Sequence, residues 1–466
     1  MLKFNHDDTI TALATAPGTG AIAVIRVSGK KALEIAGQIF RTKSGKRIDF
    51  SRKASHTVIF GELVLNDQTV DEVLITIFKN PHSYTGEDTV EISCHGSTFI
   101  QQRVLDLITR QGARMAEPGE FTLRAFLNGK LDLSQAEAVA DLIASDSAAA
   151  HQVAIRQLRG GFSNEIKNLR SEMIQFAALI ELELDFSEED VEFANRKQLR
   201  EAVGRLRTAV KSLIESFALG NVIKNGIPVV IAGKPNAGKS TLLNALLNEE
   251  RAIVSDIAGT TRDTIEEEIT IGGIKFRFID TAGIRETTDT IERIGVDRTM
   301  EKIRQSPVVI YLFDVNETSS GELRLELNQL KQEIDPNFIV LPVGNKIDHQ
   351  QVDALEDEFK SIPDILLVSA KEGTNLDILR DALLRRFRSG ELESGDTIVT
   401  NARHIAELKL TDESLERVEN GLAGGVTNDF IAGDLRYALH HLGMITGEIS
   451  NEDLLDTIFS KFCIGK

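Results

Sequence analysis

The sequence predicts a multidomain protein that combines α+β and α/β folds. Three observations support this: short β-rich runs separated by turn residues over the first ~120 residues, a stretch rich in Ala, Leu, Glu and Gln from Leu133, and a strand–helix alternation from Pro228 to about Arg388. We therefore expect an N-terminal α+β domain, an α-helical domain, and an α/β domain inserted into the helical one. The expected limits are 1–125, 126–222 together with 389–466, and 223–388.

The composition is that of a globular protein with an acidic balance. Its 466 residues are 42% hydrophobic and 27% charged, and a chain of this length usually forms roughly two to four domains. Two cysteines, Cys94 and Cys463, are too few for a disulfide scaffold and suit a reducing cytoplasm. The net charge of −18 argues against broad electrostatic binding to nucleic acid or anionic lipid, although a local basic patch stays compatible with RNA binding.

The start of the chain, MLKFNHDDTI, lacks the basic and apolar regions of a signal peptide. No apolar run approaches the ~20 residues that a membrane-spanning helix requires. We therefore expect a cytoplasmic protein without a membrane anchor.

Four runs in the first domain carry the β pattern. They are rich in β-branched residues and bounded by turn residues, and we expect each to form a strand: AIAVIRVSG, TVIFGELVL, EVLITIF and TVEISCHG. The last contains Cys94, which we expect to be buried and inert. Few long helices accompany these strands, which favours an α+β arrangement.

The helical domain is marked by apolar spacing and by end signals. Gly220 stands where we expect a helix to stop, and Ser450 followed by Asp453 resembles a capping box before the final helix. The helix before Gly220 is predicted from apolar residues that recur every three or four positions: Leu199, Val203, Leu206, Val210, Leu213 and Phe217.

The inserted domain opens with a phosphate-binding loop. The segment from Gly233 to Ser240, GKPNAGKS, matches G-x-x-x-x-G-K-[ST] between a predicted strand and a predicted helix. In such a loop the glycines turn backbone N–H groups toward the phosphates, Lys239 reaches the β and γ phosphates, and Ser240 offers a hydroxyl to Mg²⁺. The segment alone predicts a nucleoside triphosphate.

Three further motifs follow in order and make guanine the predicted base. Asp280-Thr281-Ala282-Gly283 places a carboxylate near Mg²⁺, and Asn345-Lys346-Ile347-Asp348 lets Asp348 accept two hydrogen bonds that adenine does not offer. Ser369-Ala370-Lys371 resembles the loop that closes over the base. The predicted GTP contacts are Asn236, Ala237, Gly238, Lys239, Ser240, Thr241, Ser255, Asp256, Ile257, Ala258, Gly259, Thr260, Thr261 and the three motifs just named.

The domain departs from Ras-type GTPases at the water-positioning residue. Ile284 follows Gly283, and an aliphatic side chain cannot orient the attacking water as the Ras glutamine does. The segment SDIAGTTRD, with Thr261 as a second predicted Mg²⁺ ligand, and Asn236 in the phosphate loop resemble the potassium-dependent GTPases.

The whole pattern resembles one family, the tRNA-modification GTPases called MnmE or TrmE. SYTGEDTVEISCHG, PGEFTLRAFLNGKLDLSQAEAV and the terminal FCIGK look like signatures of that family, so the resemblance covers essentially the whole chain. It implies an N-terminal domain that binds formyl- or methylene-tetrahydrofolate and forms a homodimer, a helical domain, and an inserted G domain. It also implies a complex with the FAD protein MnmG, in which an aminomethyl or carboxymethylaminomethyl group is added to C5 of the wobble uridine of certain tRNAs.

The resemblance also assigns metal and catalytic residues. It implies Mg²⁺ at Ser240 and Thr261, and catalytic roles for Lys239 and for Glu292, which would orient the attacking water through a bridging water. Ser255 stands where threonine is expected in much of the family, which matters little if its backbone oxygen is the ligand. The implied K⁺ ligands are Asn236, Ser255, Ile257 and Thr260.

For the folate, the resemblance implies Arg26, Glu87, Lys130 and the terminal Lys466. A carboxylate suits the amide and amine of the pterin ring, and basic groups suit the anionic glutamate tail. Cys463 resembles the cysteine of a C-a-a-X prenylation box, but the following Ile-Gly-Lys is not such a box. We expect the tail to reach the folate site, in its own subunit or in a partner's, with Cys463 near the one-carbon chemistry.

A second function class stays open from the sequence. Related potassium-dependent G domains act as regulatory switches in ribosome or RNA assembly, and reduced-folate binding would distinguish the two. The pair His440-His441 does not favour a metal site, because adjacent helical residues do not face one ion.

Overall fold

A computed structural model gives the structure of the protein. It describes residues 8–66, 68–185, 196–251, 266–280, 308–334, 338–349, 352–388, 397–424 and 426–465. The chain divides into two compact units. One comprises Met1–Ala144, Ala154–Ile214 and Ala402–Lys466, and the other comprises Ser145–Val153 and Glu215–Asn401.

The first unit contains a seven-stranded sheet built from the β-rich N-terminal segment. All four predicted runs form strands, because their alternating β-branched residues bury one face of the sheet. Every pair of neighbouring strands is antiparallel except β1 with β7, which is parallel. In the order β3-β4-β5-β6-β2-β1-β7, the strands are β1 Ile10–Leu13, β2 Ile22–Ser28, β3 Phe40–Arg41, β4 Thr57–Leu65, β5 Gln68–Phe78, β6 Thr89–His95 and β7 Arg114–Met115.

Two helices, α1 Ala32–Ile39 and α2 Thr98–Arg110, contribute to the core under this sheet. Cys94 belongs to that core and is only 3% exposed, as predicted. Burial raises the pKa of its thiol to about 11, so the group stays protonated and unreactive near neutral pH.

Helices form the rest of the first unit. Helix formation begins again at Leu133, as predicted, and the series from Leu199 to Leu213 is buried. The helices are α3 Glu120–Leu127, α4 Leu133–Ala144, α5 Ala148–Leu158, α6 Gly161–Asp185, α7 Arg196–Asn225, α12 Ala402–Gly424, α13 Asn428–Thr446 and α14 Glu452–Phe459. Helix α5 begins in the second unit, and α7 ends in it.

The prediction that Gly220 ends its helix was wrong. Helix α7 continues to Asn225, and Gly226, at φ +77°, takes the left-handed position that follows the helix. A Cβ on Gly220 would lie 2.0 Å from the carbonyl oxygen of Val399. Glycine is needed there because another backbone segment passes close by.

The cap of the final helix lies one residue later than predicted. Asn451, rather than Ser450, is the N-cap of α14, and its side chain accepts a hydrogen bond from the backbone N–H of Leu454. Asn and Ser are equally suitable caps, so sequence alone did not separate the two positions.

A buried ion-pair cluster joins two of these helices. Glu137 on α4 accepts hydrogen bonds from Arg403 at 2.7 and 3.0 Å and lies 2.7 Å from Nε2 of His404, both on α12. The ring of Phe162 stacks on His404. Burial acts to raise the pKa of Glu137, but His404 and Arg403 outweigh it and lower the pKa to about 2.

The second unit contains a six-stranded sheet in the order β13-β12-β11-β8-β10-β9. All pairs are parallel except β9 with β10, and the strand order reverses beside β8. Ligands of open α/β sheets bind at such a reversal, beyond the carboxyl ends of the strands. The strands are β8 Ile227–Ala232, β9 Glu266–Ile271, β10 Ile274–Asp280, β11 Val308–Asp314, β12 Ile339–Asn345 and β13 Leu366–Leu367, and the helices are α8 Lys239–Arg251, α9 Ser320–Glu333, α10 Val352–Phe359 and α11 Leu376–Arg388.

Among the helices that the structure describes, none has both the length and the apolar character needed to cross a membrane.

Candidate functional site

The predicted phosphate loop connects the end of β8 to the start of α8. Gly233 has φ +148°, and a Cβ there would lie 2.0 Å from the carbonyl oxygen of Leu312 on β11. Asn236 is left-handed at φ +63° and exposed. The loop therefore has the tight turn and the helix N-terminus that favour binding of a phosphate.

Lys239 spans this loop. Its Nζ donates hydrogen bonds to the carbonyl oxygens of Gly233 at 2.9 Å and Lys234 at 3.0 Å. The ammonium group is thereby held over the loop, where it can meet a bound phosphate. The hydroxyl groups of Ser240 and Thr241 follow in the first turn of α8, and both residues are exposed.

Asn345 joins the phosphate loop to the loop that follows β13. Its Nδ2 donates to the carbonyl oxygen of Ala237 at 2.8 Å, and its Oδ1 accepts from the N–H of Ala370 at 2.9 Å. The side chain is buried, and a Cβ on Gly238 would come within 2.3 Å of Nδ2. Three sequence motifs that lie far apart in the chain thus form one site.

Asp348, the residue predicted to recognise guanine, is also held in place. The hydroxyl of Ser369 donates to Oδ1 of Asp348 at 2.7 Å. Ser369 and Ile347 are buried, whereas Asp348 and Lys371 are exposed. The Asp348 carboxylate is therefore oriented by a buried hydroxyl and remains accessible to a base.

The sequence motifs did not include Asp314, which lies at the end of β11. Its Oδ2 is 2.6 Å from Nζ of Lys346, and its Oδ1 accepts from the backbone and side-chain nitrogens of Asn316. Burial acts to raise the pKa of Asp314, but Lys346 and Asn316 outweigh it, so the pKa lies below its ordinary value. The signal in the sequence was an acidic residue directly after an apolar strand, in YLFDVN.

Several predicted site residues cannot be placed. Asp280 ends β10 at the expected edge of the sheet, but the structure does not describe its side chain. The remaining predicted residues lie outside the described part of the chain: Ser255, Asp256, Ile257, Ala258, Gly259, Thr260, Thr261, Thr281, Ala282, Gly283, Glu292 and Lys466.

Arg26, from the predicted folate set, lies on β2 in the first unit. Its guanidinium pairs with Glu91 on β6, at 2.9 and 3.0 Å. It also lies over the rings of Tyr84 and Phe121, at 5.1 and 5.6 Å from their centroids. The guanidinium is mostly buried between these groups.

Glu87, from the same set, lies in the loop between β5 and β6, and Lys130 contacts the other end of that loop. Glu87 accepts from the Ser28 hydroxyl at 2.8 Å and from Arg124 at 3.1 Å, and Lys130 donates to the carbonyl oxygen of Pro81 at 3.0 Å. Because Ser28 and Arg26 are two residues apart on β2, their side chains share a face of the sheet. The sequence motifs did not single out Arg124 as the partner of Glu87.

The C-terminal tail packs against the same unit of its own chain. The carbonyl oxygen of Cys463 accepts from the N–H of Gly119 at 3.4 Å, and a Cβ on Gly465 would lie 2.1 Å from the carbonyl oxygen of Leu13. Leu13 lies beside Ala12, the cross-strand partner of Arg26. The Cys463 side chain is exposed.

Known proteins resemble the chain along its whole length. Residues 9–130 match the family model described as "GTP-binding protein TrmE N-terminus", and residues 133–463 match the model described as "MnmE helical domain". The protein called "tRNA modification GTPase MnmE" of Christiangramia forsetii is 54% identical, with both chains covered completely. Its namesake in Cytophaga hutchinsonii is 56% identical over 99% of this chain and 98% of its own.

A solved structure, a variant of Era of Aquifex aeolicus bound to GDP.AlF4-, is 29% identical over 40% of this chain and 66% of its own. Its TM-score of 0.28 is too low to support a structural argument. The assignment rests instead on the two family models and the full-length relatives. By those matches, this chain belongs to the MnmE family of tRNA modification GTPases.

Proposed function

We propose that GTP hydrolysis by this protein serves the modification of the wobble uridine of certain tRNAs. The observation that carries the proposal is the position of Asn345, which ties the phosphate loop to the loop after β13 beside Asp348. That arrangement suits a guanine nucleotide with its phosphates at the start of α8. The names of the full-length relatives supply the link to tRNA.

The residues around the phosphate loop fit Mg²⁺. Ser240 presents a hydroxyl oxygen in the first turn of α8, and oxygen ligands are the ones that Mg²⁺ prefers. We propose that Ser240 and Thr261 hold this ion, which neutralises charge on the β and γ phosphates. Lys239 would leave the carbonyl oxygens of Gly233 and Lys234 to meet the same phosphates.

Potassium dependence is the second part of the proposal. Asn236 is exposed and left-handed, so its amide oxygen is available to a cation beside the phosphates. Together with oxygens of Ser255, Ile257 and Thr260 it would hold K⁺, which supplies positive charge where other GTPases use arginine. Glu292 would orient the attacking water, because Ile284 cannot.

The wider reaction involves partners. We propose a homodimer that works with an MnmG-type FAD protein and a reduced one-carbon folate, and that adds an aminomethyl or carboxymethylaminomethyl group to C5 of the uridine. Arg26, Glu87, Lys130, Lys466 and Cys463 are the proposed folate-site residues. The three-domain division at 1–125, 126–222 with 389–466, and 223–388 belongs to the same proposal.

The GTPase part is tested by steady-state turnover in KCl and in NaCl. We expect faster hydrolysis in KCl and loss of most activity in Glu292→Ala, while Glu356→Ala, an exposed glutamate on α10, serves as the control. Equal rates in the two salts would refute the potassium mechanism. An active Glu292→Ala protein would refute the assigned water positioning.

The tRNA part is tested by mass spectrometry of tRNA nucleosides after selective loss of the protein. We expect unmodified uridine to replace the C5-substituted nucleoside at the wobble position. Full modification without the protein, together with no binding of reduced folate, would instead favour a regulatory switch in RNA or ribosome assembly.

A further inference from the structure

The Glu87 carboxylate is fixed by its neighbours before any ligand arrives. Its Oε2 accepts from Ser28, and both of its oxygens lie 3.1 Å from one terminal nitrogen of Arg124. The side chain is still 20% exposed. A carboxylate has about four acceptor sites, so part of it stays available to N–H donors of a ligand.

The backbone that carries Glu87 is held separately. Its N–H donates to Oγ1 of Thr85 at 3.2 Å, and its carbonyl oxygen accepts from the hydroxyl of Ser83 at 2.5 Å. The position of the loop therefore does not depend on Arg124, whereas the direction of the carboxylate does.

Arg124 is itself locked inside the unit. Its side chain is 4% exposed; one terminal nitrogen also donates to the carbonyl oxygen of Asp8 at 2.8 Å, and the other donates to Glu120 at 2.9 Å. A lysine ammonium is a point charge and cannot span three acceptors in one plane as a guanidinium does. The geometry at Glu87 thus requires arginine in particular.

Glu120 balances the charge behind Arg124. It is completely buried, and it accepts from Arg114 at 2.8 and 3.0 Å as well as from Arg124. Burial acts to raise the pKa of Glu120, but Arg114, the N–H of Glu117 and Arg124 together lower it below its ordinary value. Arg114 also pairs with Oδ2 of Asp8 at 3.3 Å, so the two arginines share Glu120 and Asp8 as partners, and of the two only Arg124 contacts Glu87.

We propose that Arg124 is a positioning residue for the folate site, one that orients the Glu87 carboxylate toward the amide and amine of a pterin ring. This inference rests on the proposed folate binding. Arg124 does not touch the ligand itself and acts only through Glu87, with Glu120 as its buried counter-charge.

The experiment is calorimetric titration of the full-length protein with 5-formyltetrahydrofolate and with a tetrahydropterin that lacks the glutamate tail. Arg124→Lys should weaken both probes by the same factor, about tenfold to a hundredfold, because hydrogen bonds to a charged group are lost at the ring. Arg103→Lys, at an exposed arginine on α2 in the same unit, is the control, and it should bind within about twofold of the wild type.

A double-mutant cycle separates positioning from general damage. In a Glu87→Gln background, Arg124→Lys should cause little further loss, because the group through which it acts is already gone. Additive losses, or unchanged binding in the single Arg124→Lys variant, would overturn the role of Arg124 while leaving folate binding intact. Absence of binding by the wild-type protein would instead overturn the folate proposal itself, and with it this role.

Discussion

Asn345 donates a hydrogen bond from its side chain to the carbonyl oxygen of Ala237, a residue 108 positions earlier in the chain. This bond fixes the phosphate loop relative to the end of β12. The same side chain accepts from the N–H of Ala370, so one buried amide uses a donor and an acceptor at once. The predicted nucleotide site is therefore assembled around this side chain.

We expect Asn345→Asp to weaken GDP and GTP binding by about tenfold or more, because the donor to Ala237 is lost and a charge is buried in its place. Fluorescence titration with a labelled guanine nucleotide measures the change. Asn328→Asp, on the exposed face of α9, is the control and should bind normally. Equal affinity of Asn345→Asp and wild type would contradict this account of the loop.

Two glycines in α7 should respond to alanine in opposite ways. Alanine normally stabilises a helix interior by up to about 1 kcal/mol relative to glycine, and we expect this gain at Gly204, where nothing lies within 4 Å of a new Cβ. At Gly220 the new Cβ would meet the carbonyl oxygen of Val399, so the substitution should destabilise the protein by about 1–3 kcal/mol. Urea unfolding followed by circular dichroism distinguishes the two variants. A stabilised Gly220→Ala protein would show that the backbone at Val399 can move away from the new Cβ.

The ion-pair cluster at Glu137 predicts a pH-dependent stability. The folded pKa of about 2 lies below the ordinary value of 4.5, so its stabilisation is present above about pH 4.5 and is lost as the pH falls toward 2. The loss is at most about 3 kcal/mol. Glu137→Gln should therefore have a lower urea midpoint than the wild type at pH 7. The difference between the two midpoints should be smaller at pH 3.

Glu181 provides the comparison for that experiment. It pairs with Arg436 in the same unit, but both side chains are exposed, so Glu181→Gln should change the free energy of unfolding by less than about 1 kcal/mol at either pH. An unchanged midpoint for Glu137→Gln at pH 7 would mean that the desolvation cost of the buried cluster cancels its attraction.

Local patterns in the sequence were sufficient for four of the seven strands of the first unit, β2, β4, β5 and β6, and for the phosphate loop. Alternating β-branched residues specify a half-buried strand wherever they occur, and GKPNAGKS carries its own turn and helix start. Motif order then indicated which loops meet, because the carboxyl ends of parallel strands lie at one edge of a sheet.

Contacts that depend on distant segments could not be predicted in this way. Nothing near Gly220 in the sequence indicates that Val399 passes beside it, so the glycine resembled a helix end. Likewise, Arg124 reaches Glu87 across 37 residues, and only the folded chain identifies them as partners. For Asp314, the sequence showed its position at the end of an apolar strand but did not show its ion pair with Lys346.

The two cysteines should differ in reactivity toward iodoacetamide. Cys463 is exposed, whereas Cys94 is buried with a pKa of about 11 and only about a thousandth of it is thiolate at pH 8. Mass spectrometry of the native protein should find alkylation at Cys463 alone, and unfolding in urea should add Cys94. A Cys463→Ser protein should stay unlabelled when native, and labelling of native Cys94 would contradict its burial.

The position of the tail predicts that Gly465→Ala separates GTP hydrolysis from tRNA modification. Gly465 has φ +97°, and a Cβ there would lie 2.1 Å from the carbonyl oxygen of Leu13, so alanine must displace the tail from β1. The predicted nucleotide site lies in the other compact unit, which makes normal GTP turnover the expected result. If Cys463 and Lys466 serve the one-carbon chemistry as proposed, modification measured by nucleoside mass spectrometry should fall sharply.

Gly433→Ala, in α13 with open space around its Cβ, controls for the substitution, and a short C-terminal tag should reproduce the loss. Full modification by Gly465→Ala would mean that the docked tail is dispensable for the chemistry.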